Sequence, residues 1–296
     1  MFALLWVPAT IAASALQVAR NGLQRGLVPS AGPWGATLVR FLFGLPFSLA
    51  FVGLAQLAIP AARPHLTAAF WTAVVTGAIA QVLATAALLV AMRRAGFAVG
   101  TALQQSSLPL AAILGLIIFH DQLTVAAWLG VAVTTAGLVV LTWPRGATGE
   151  RPLSGALFGL LSGLFFGFSL NAFRHATLAM EPAHPVYAAV ASVAVAQAMQ
   201  AAALTVWLGF RDRGALVAVV RGWRESLAAG LCGACASACW FLALGLAPAA
   251  PVRAVGVIEA PMAALAGRRF FAETLHARQI VAGLAVIIGV AMTTLR

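Results

Sequence analysis

The stretches Pro109-Leu-Ala-Ala-Ile-Leu-Gly115 and Pro261-Met-Ala-Ala-Leu-Ala-Gly267 carry one pattern twice, 152 residues apart. The same shift pairs Phe119 with Phe271, Asp121 with Glu273, Leu123 with Leu275 and Gly137 with Gly289. From Ala91 to Trp143 it yields 12 identities in 53 positions without a gap. Two Ala/Leu-rich segments share alanines by accident, but not proline, glycine and phenylalanine at a single shift. Pro33 also falls on Pro185, and a shift of 154 lays Gln17–Arg20 over Asn171–Arg174. The chain reads as a duplication.

Each copy is built of apolar segments. The chain is 62% hydrophobic and 8% charged, against about 25% charged in soluble domains, and its mean hydropathy is +0.98. Charge-free stretches such as 41–62, 64–92, 95–120 and 184–210 meet the roughly 20 residues a helix needs to cross a ~30 Å hydrocarbon core. The apolar runs are continuous rather than alternating, which excludes the pattern of an outer-membrane barrel. Cutting the chain at its charges gives helices near 4–23, 34–57, 67–92, 97–119, 125–143, 153–173, 186–208, 226–246, 251–271 and 278–295. The first lacks any Lys or Arg ahead of its apolar run and is read as helix 1, not as a cleaved signal. The polar stretch Arg145–Pro152 divides the chain into 1–146 and 147–296, with five helices on each side. An odd number of spans makes the second copy enter the membrane in the opposite sense. The expected fold is an all-α integral membrane protein, ten transmembrane helices arranged as two inverted five-helix repeats. Alternating-access transporters are commonly built this way, with a site near the bilayer midplane.

All 18 cationic residues are Arg, and the net charge is +11. No basic face or recognition motif accompanies that charge, so nucleic acid is not an expected partner. Arginines in short loops suit topology signals and anionic headgroups instead. Twelve lie in odd-numbered connections and four in even connections or at the termini, which favours cytoplasmic odd loops and outside termini. Cys232, Cys235 and Cys239 share one helical face. With no His nearby and no fourth ligand they read as small packing residues, and no metal site is expected.

The unit Pro109-x11-Asp121-x-Leu123, followed by a glycine-punctuated helix, resembles the repeat of the EamA-type drug/metabolite transporters. The second copy, Pro261-x11-Glu273-x-Leu275, carries the acidic residue in that family's usual form. The resemblance spans essentially the whole chain. It implies ten helices in a bacterial inner membrane, no cofactor, and secondary transport or facilitated export of small metabolites, often amino acids. It also implies cytoplasmic termini, opposite to the arginine count. Trp6-Val7-Pro8 departs from the family's common Trp-Gly, and Asp121 from its usual Glu. Both departures loosen any transfer of substrate identity.

Polar residues within the helices are the site candidates. Glu259 is the only one of seven carboxylates inside a long apolar segment, and a carboxylate at that depth usually marks a transport path or proton relay. Gln17, Arg20, Asn21 and Gln24 form a stripe at helical spacing. Arg40 has only Thr37 as a polar neighbour in sequence. Gln104, Gln105 and Ser107 precede Pro109, and Ser107 is the repeat equivalent of Glu259. Helix 6 ends in Asn171, Arg174 and His175. Arg253 lies six residues before Glu259, out of register for a same-helix pair, and is read as an interface anchor. Pro109 and Pro261 are expected to interrupt their helices and free carbonyls beside these groups. The expected substrate site is thus Arg20, Asn21, Gln24, Arg40, Gln104, Gln105, Ser107, Arg174 and Glu259. The plainer alternatives are snorkelling for Arg20 and Arg174, interhelical hydrogen bonding for the Gln/Ser run, and a structural pair of Glu259 with Arg40 or Arg20.

Intramembrane catalysis needs paired carboxylates, a nucleophile–base pair or a His-rich metal set. One deep carboxylate and no mid-span His supply none of these, so no enzyme is expected. Arginine at membrane depth suits a carboxylate or phosphate, and an opposing Glu suits an amine. A zwitterionic amino acid or small carboxylate is the first expectation, and an organic phosphate exchanger the second. A flippase or structural subunit is the alternative from another class. The implied partners are a small-molecule substrate and the lipid bilayer, and a homodimer is left open.

Overall fold

The computed structural model of the chain describes residues 5–118, 120, 122–142 and 152–259, with positions 262, 265, 281, 284, 285, 288, 289 and 292. Asp121, the polar stretch 145–151, Pro261, Glu273 and most of the predicted last helix lie outside the described residues. The protein is all-helical, at 88% helix and with no strand among the described residues. The elements are α1 (Trp6–Leu42), α2 (Leu45–Ala58), α3 (Ala68–Ala95), α4 (Phe97–Gln104), α5 (Ser107–Ile117), α6 (Val125–Thr142), α7 (Pro152–Met180), α8 (Pro185–Arg211), α9 (Arg213–Arg221), α10 (Trp223–Leu246) and α11 (Ala249–Gly256). Among the described residues, five helical stretches are long and apolar enough to cross a membrane: Trp6–Ala58, Ala68–Ala95, Leu153–Met180, Pro185–Arg211 and Trp223–Leu246.

The first of these stretches doubles back on itself. Gly32 has φ 65° and ψ 174°, a left-handed backbone that glycine adopts at little cost. Pro33 follows, with its φ already set for a helix start. Gln24 Nε2 donates to the Ala36 carbonyl at 2.6 Å, although a straight helix would hold two such residues about 18 Å apart along its axis. Residues 6–31 and 33–58 are therefore two arms of a hairpin. The first arm runs past its predicted end at residue 23 because Arg20, Asn21 and Gln24 are buried inside the helix instead of opening a loop. By the same logic α7 passes residue 173 and stops at Met180, just ahead of Glu181-Pro182. Sequence reading treats 213–221 as part of a connection. It is instead α9, an amphipathic helix too short to span, with Ala215 and Val219 buried.

The chain forms two compact units, one from 1–82 and 172–247, the other from 83–171 and 248–296. In the first, α1 packs mainly along α10, and α8 lies against α2 and α10. The faces of α10 that meet them are made of Gly230, Gly233, Ala234, Ala236 and Ser237. A Cβ on Gly230 would come within 2.4 Å of the Phe43 backbone, and one on Gly233 within 3.3 Å of both Arg20 Cδ and Arg40 Cγ. Small residues let helices approach this closely in lipid, where packing rather than water exclusion drives association. At one end of this unit the His65 N–H donates to the Met180 carbonyl at 2.8 Å. The Glu181 carboxylate accepts from the backbone N–H groups of Arg63 and Ala183, each at 3.1 Å.

The second unit packs α4, α5, α6 and α11 around Leu108, Ala112, Val131, Ala250, Ala254 and Val257. The shift of 152 that aligns the sequence copies also lays α4 on α11 end to end. It superimposes the turn at 105–106 on the turn at 257–258. It further matches Ser106 N–H to the Leu103 carbonyl, 3.1 Å, with Ile258 N–H to the Val255 carbonyl, 3.2 Å. Pro109 has no N–H to offer the Gln105 carbonyl, and its ring crowds that oxygen. The Gln105 carbonyl accepts from the Leu108 N–H instead, at 2.9 Å. Val257 holds the same position relative to Pro261.

Two outcomes follow from this packing. Gly230→Ala forces backbone apart and lowers stability by about 1–3 kcal/mol, whereas Gly26→Ala, with nothing within 4 Å of its added Cβ, is neutral or stabilising by up to about 1 kcal/mol. Thermal unfolding in detergent reads both, and equal effects would contradict the close approach. The second concerns Glu181. The Arg63 N–H bond, with help from Ala183 and the nearby histidines, holds its carboxyl below the usual 4.5 despite burial. A depressed folded-state pKa contributes stability above the unfolded value, lost as pH falls through the folded value. Wild type should therefore lose stability below pH 4.5 more steeply than Glu181→Gln. Parallel pH profiles for the two proteins would contradict that role.

Candidate functional site

The chemistry of the second unit gathers where two helices break. Arg253, in the last turn of α11, is 2% exposed and Glu259 is fully buried. Arg253 Nη1 lies 3.3 Å from Glu259 Oε2. Its Nε donates to Ser107 Oγ at 2.6 Å, and its Nη2 donates to Gln105 Oε1. In an unbroken helix, residues six apart lie about 9 Å apart along the axis and on different faces. The turn at 257–258 removes that obstacle and folds the carboxylate back toward the guanidinium. Reading Arg253 as an interface anchor is therefore corrected, because it assumed a continuous helix. The broken-helix signal was present in Pro261, four residues after Val257.

Two repeat-equivalent pairs define the site. Arg253 and Glu259 stand where the first copy has Thr101 and Ser107 at the shift of 152. Thr101 and Ser107 are both fully buried. The helix bounds and the turn coincide at that shift, but where one stretch has hydroxyls the other has an ion pair. Ser107 then hydrogen-bonds the cation of the opposite copy, so the arginine joins both breaks. In the same unit, Thr101 Oγ1, Gln104 Oε1, Gln105 Nε2, Ser106 Oγ and Asn171 Oδ1 are buried without a hydrogen-bond partner among the described residues. Buried polar atoms are nearly always satisfied, so a cluster of open ones marks a place equipped to receive further polar groups.

The remaining candidates belong to the first unit. Arg20 and Arg40 are among its largest fully buried side chains and flank Gly233. Arg20 donates through Nε and Nη2 to Asn21 Oδ1, at 3.2 and 2.6 Å. Arg40 Nη2 donates to Ser237 Oγ at 3.3 Å, and the Arg40 guanidinium stands 5.2 Å from the Phe41 ring centroid. Gln24 ties the two hairpin arms, and Gln17 Oε1 accepts from Trp240 Nε1 at 3.0 Å. Arg174 Nη1 donates to the Leu244 carbonyl at 2.8 Å, satisfying an end of α10 as cationic side chains often do. Asn171 belongs to the second unit, where its amide donates to the Ala111 and Gly167 carbonyls, both at 3.0 Å.

Residues 3–143 match the model of the EamA-like transporter family. Residues 3–143 of the chain therefore carry an EamA-like domain, and the five long apolar helical stretches among the described residues accord with an integral membrane protein. No curated protein matches the chain. Among solved structures, one crystal structure is similar with a TM-score of 0.62 at 18% identity, covering 97% of this chain and 96% of that one. At that identity the likeness concerns the fold.

The ion pair carries a quantitative expectation. Arg253→Gln or Glu259→Gln leaves one buried charge unmatched and costs about 3–5 kcal/mol of stability. Arg253→Gln combined with Glu259→Gln removes both charges and costs clearly less than the sum. A thermal-unfolding cycle on the four proteins measures the coupling. Strict additivity would mean that the two side chains do not act as a pair.

Proposed function

We propose that this EamA-like transporter exports, or facilitates diffusion of, amino acids or related small carboxylates across a bacterial inner membrane. Transport proceeds by alternating access of two inverted five-helix repeats, 1–146 and 147–296. The observation that carries the substrate class is the buried Arg253–Glu259 pair, hydrogen-bonded to Ser107 and Gln105. A zwitterion can divide that pair without leaving either charge unmatched. Its carboxylate takes the guanidinium of Arg253 and its amine takes Glu259. A lone cation or a lone anion strands one buried charge, a penalty of about 3–5 kcal/mol. Gln105, which accepts from Arg253, keeps an open Nε2, and Gln104 and Thr101 of the same helix break carry further open polar atoms. Arg20, Asn21, Gln24, Arg40 and Arg174 remain proposed contributors along the path.

Support for the two-repeat reading comes from within each unit. The helix breaks of α4 and α11 coincide at the shift that aligns the sequence. Segments expected at the same membrane side also meet. Arg63 in the second connection reaches Glu181 in the sixth, and Arg94 in the third reaches Ser154 after the fifth, at 3.2 Å. An organic anion exchanger is the second reading, favoured by the excess of arginine. It requires Glu259 to take up a proton whenever the anion holds Arg253. The side chains perform no catalysis in either reading.

Counterflow in proteoliposomes tests the proposal with labelled amino acids, organic phosphates and quaternary ammonium dyes, on wild type, Arg253→Lys and Arg253→Gln. Amino acid exchange in wild type, lowered at least about tenfold in Arg253→Gln and partly retained in Arg253→Lys, is expected. Transport of the dyes alone, untouched by either variant, would overturn the substrate class.

A further inference from the structure

The helix that sequence reading missed bears a second site. Beside α9, at the end of the first hairpin arm, lies an open groove of about 590 Å³ lined by Ser30, Arg213, Gly214, Val217, Arg221 and Gly222. Arg213, Val217 and Arg221 recur at i, i+4 and i+8, so one row of α9 carries cation, apolar residue and cation in turn. The opposite row, Ala215 and Val219, is buried and meets Gly35 of the hairpin. The groove is thus held on a fixed helix. Arg213 and Arg221 are exposed, and the neighbouring Val217, Val220, Trp223 and Phe210 are 47, 56, 52 and 84% exposed. Water would penalise that apolar edge, but a bilayer interface accommodates it.

We infer that this groove binds the headgroup of an anionic phospholipid. The guanidinium groups of Arg213 and Arg221 hold the phosphate, and Val217 and Val220 lie along the first carbons of the acyl chains. Charge complementarity selects the occupant. Between 211 and 225 stand Arg211, Arg213, Arg221 and Arg224 against Asp212 and Glu225. Asp212 is already engaged, accepting from the Ala215 N–H at 2.9 Å as the cap of α9. Paired arginines match phosphate oxygens in geometry as well as sign. An amphipathic helix with a cationic row beside an apolar one lies in the interface plane and is drawn to anionic lipid. Trp223, two residues after Arg221, is half exposed, and tryptophan is enriched at the headgroup level of membranes. The site lies on the arginine-rich side of the chain and is independent of the transported substrate.

The test uses full-length protein in phosphatidylcholine vesicles that contain brominated phosphatidylglycerol or, separately, brominated phosphatidylcholine. The readout is tryptophan quenching that disappears in Trp223→Phe. Wild type should prefer the anionic lipid. Arg213→Gln combined with Arg221→Gln, both exposed changes, should lower that preference by at least about tenfold. Arg93→Gln, an exposed arginine elsewhere, should leave it unchanged. Equal quenching by the two lipids in wild type would overturn the site. So would an undiminished preference in the double variant, or a loss in Arg93→Gln equal to that of the double variant, which would indicate diffuse surface charge.

Discussion

Two opposite charges withdrawn from water are the constraint around which the second unit is organised. Desolvating Arg253 and Glu259 costs several kcal/mol for each ion, and their attraction offsets this only when further hydrogen bonds complete both groups. Ser107 and Gln105 supply those bonds to the guanidinium, and both stand at the break between α4 and α5. Two interrupted helices are therefore needed at once: one to bring Glu259 back to Arg253, the other to point Ser107 and Gln105 at the same cation. At the first break Pro109 enforces the interruption, because it has no N–H to offer the Gln105 carbonyl, and in the sequence Pro261 stands at the same distance after Val257.

Two helix breaks that coincide at one sequence shift but bear unlike side chains underlie the proposed transport site. Thr101 and Ser107 keep the first copy neutral where Arg253 and Glu259 charge the second, so one ion pair occupies a scaffold that has two equivalent positions for it. A neutral partner can hydrogen-bond the arginine without competing for its charge. In the proposed mechanism, ligand charges replace Glu259 at the arginine while the Ser107 and Gln105 contacts stay in place. Gly233 in the first unit shows the corresponding packing device, since an added Cβ would crowd Arg20 Cδ and Arg40 Cγ at 3.3 Å.

Much of this was legible in the sequence. Continuous apolar runs declared the helices, and Pro109 with Pro261 pointed to where two of them break. Cutting helices at charges failed at the buried Arg20 inside α1 and at the half-buried Arg174 inside α7. It failed again at α9, whose mixed polar and apolar rows look like a loop to any rule that seeks spans. Glu259 stood out because it was the lone carboxylate in an apolar stretch, yet its partner did not. Arg253 sits near a helix start in the linear order, and only a turn at 257–258 brings it inward. Spacing rules assume an unbroken helix, so they assign such a pair to different faces.

The most direct test of the central claim is the infrared difference spectrum of the Glu259 carboxylate on addition of a zwitterionic amino acid, isolated by subtracting Glu259→Gln. If the ligand divides the Arg253–Glu259 pair, the ionised carboxylate band shifts and no protonated carboxyl band appears. An unchanged spectrum under saturating ligand, or conversion to the protonated form, would contradict the account.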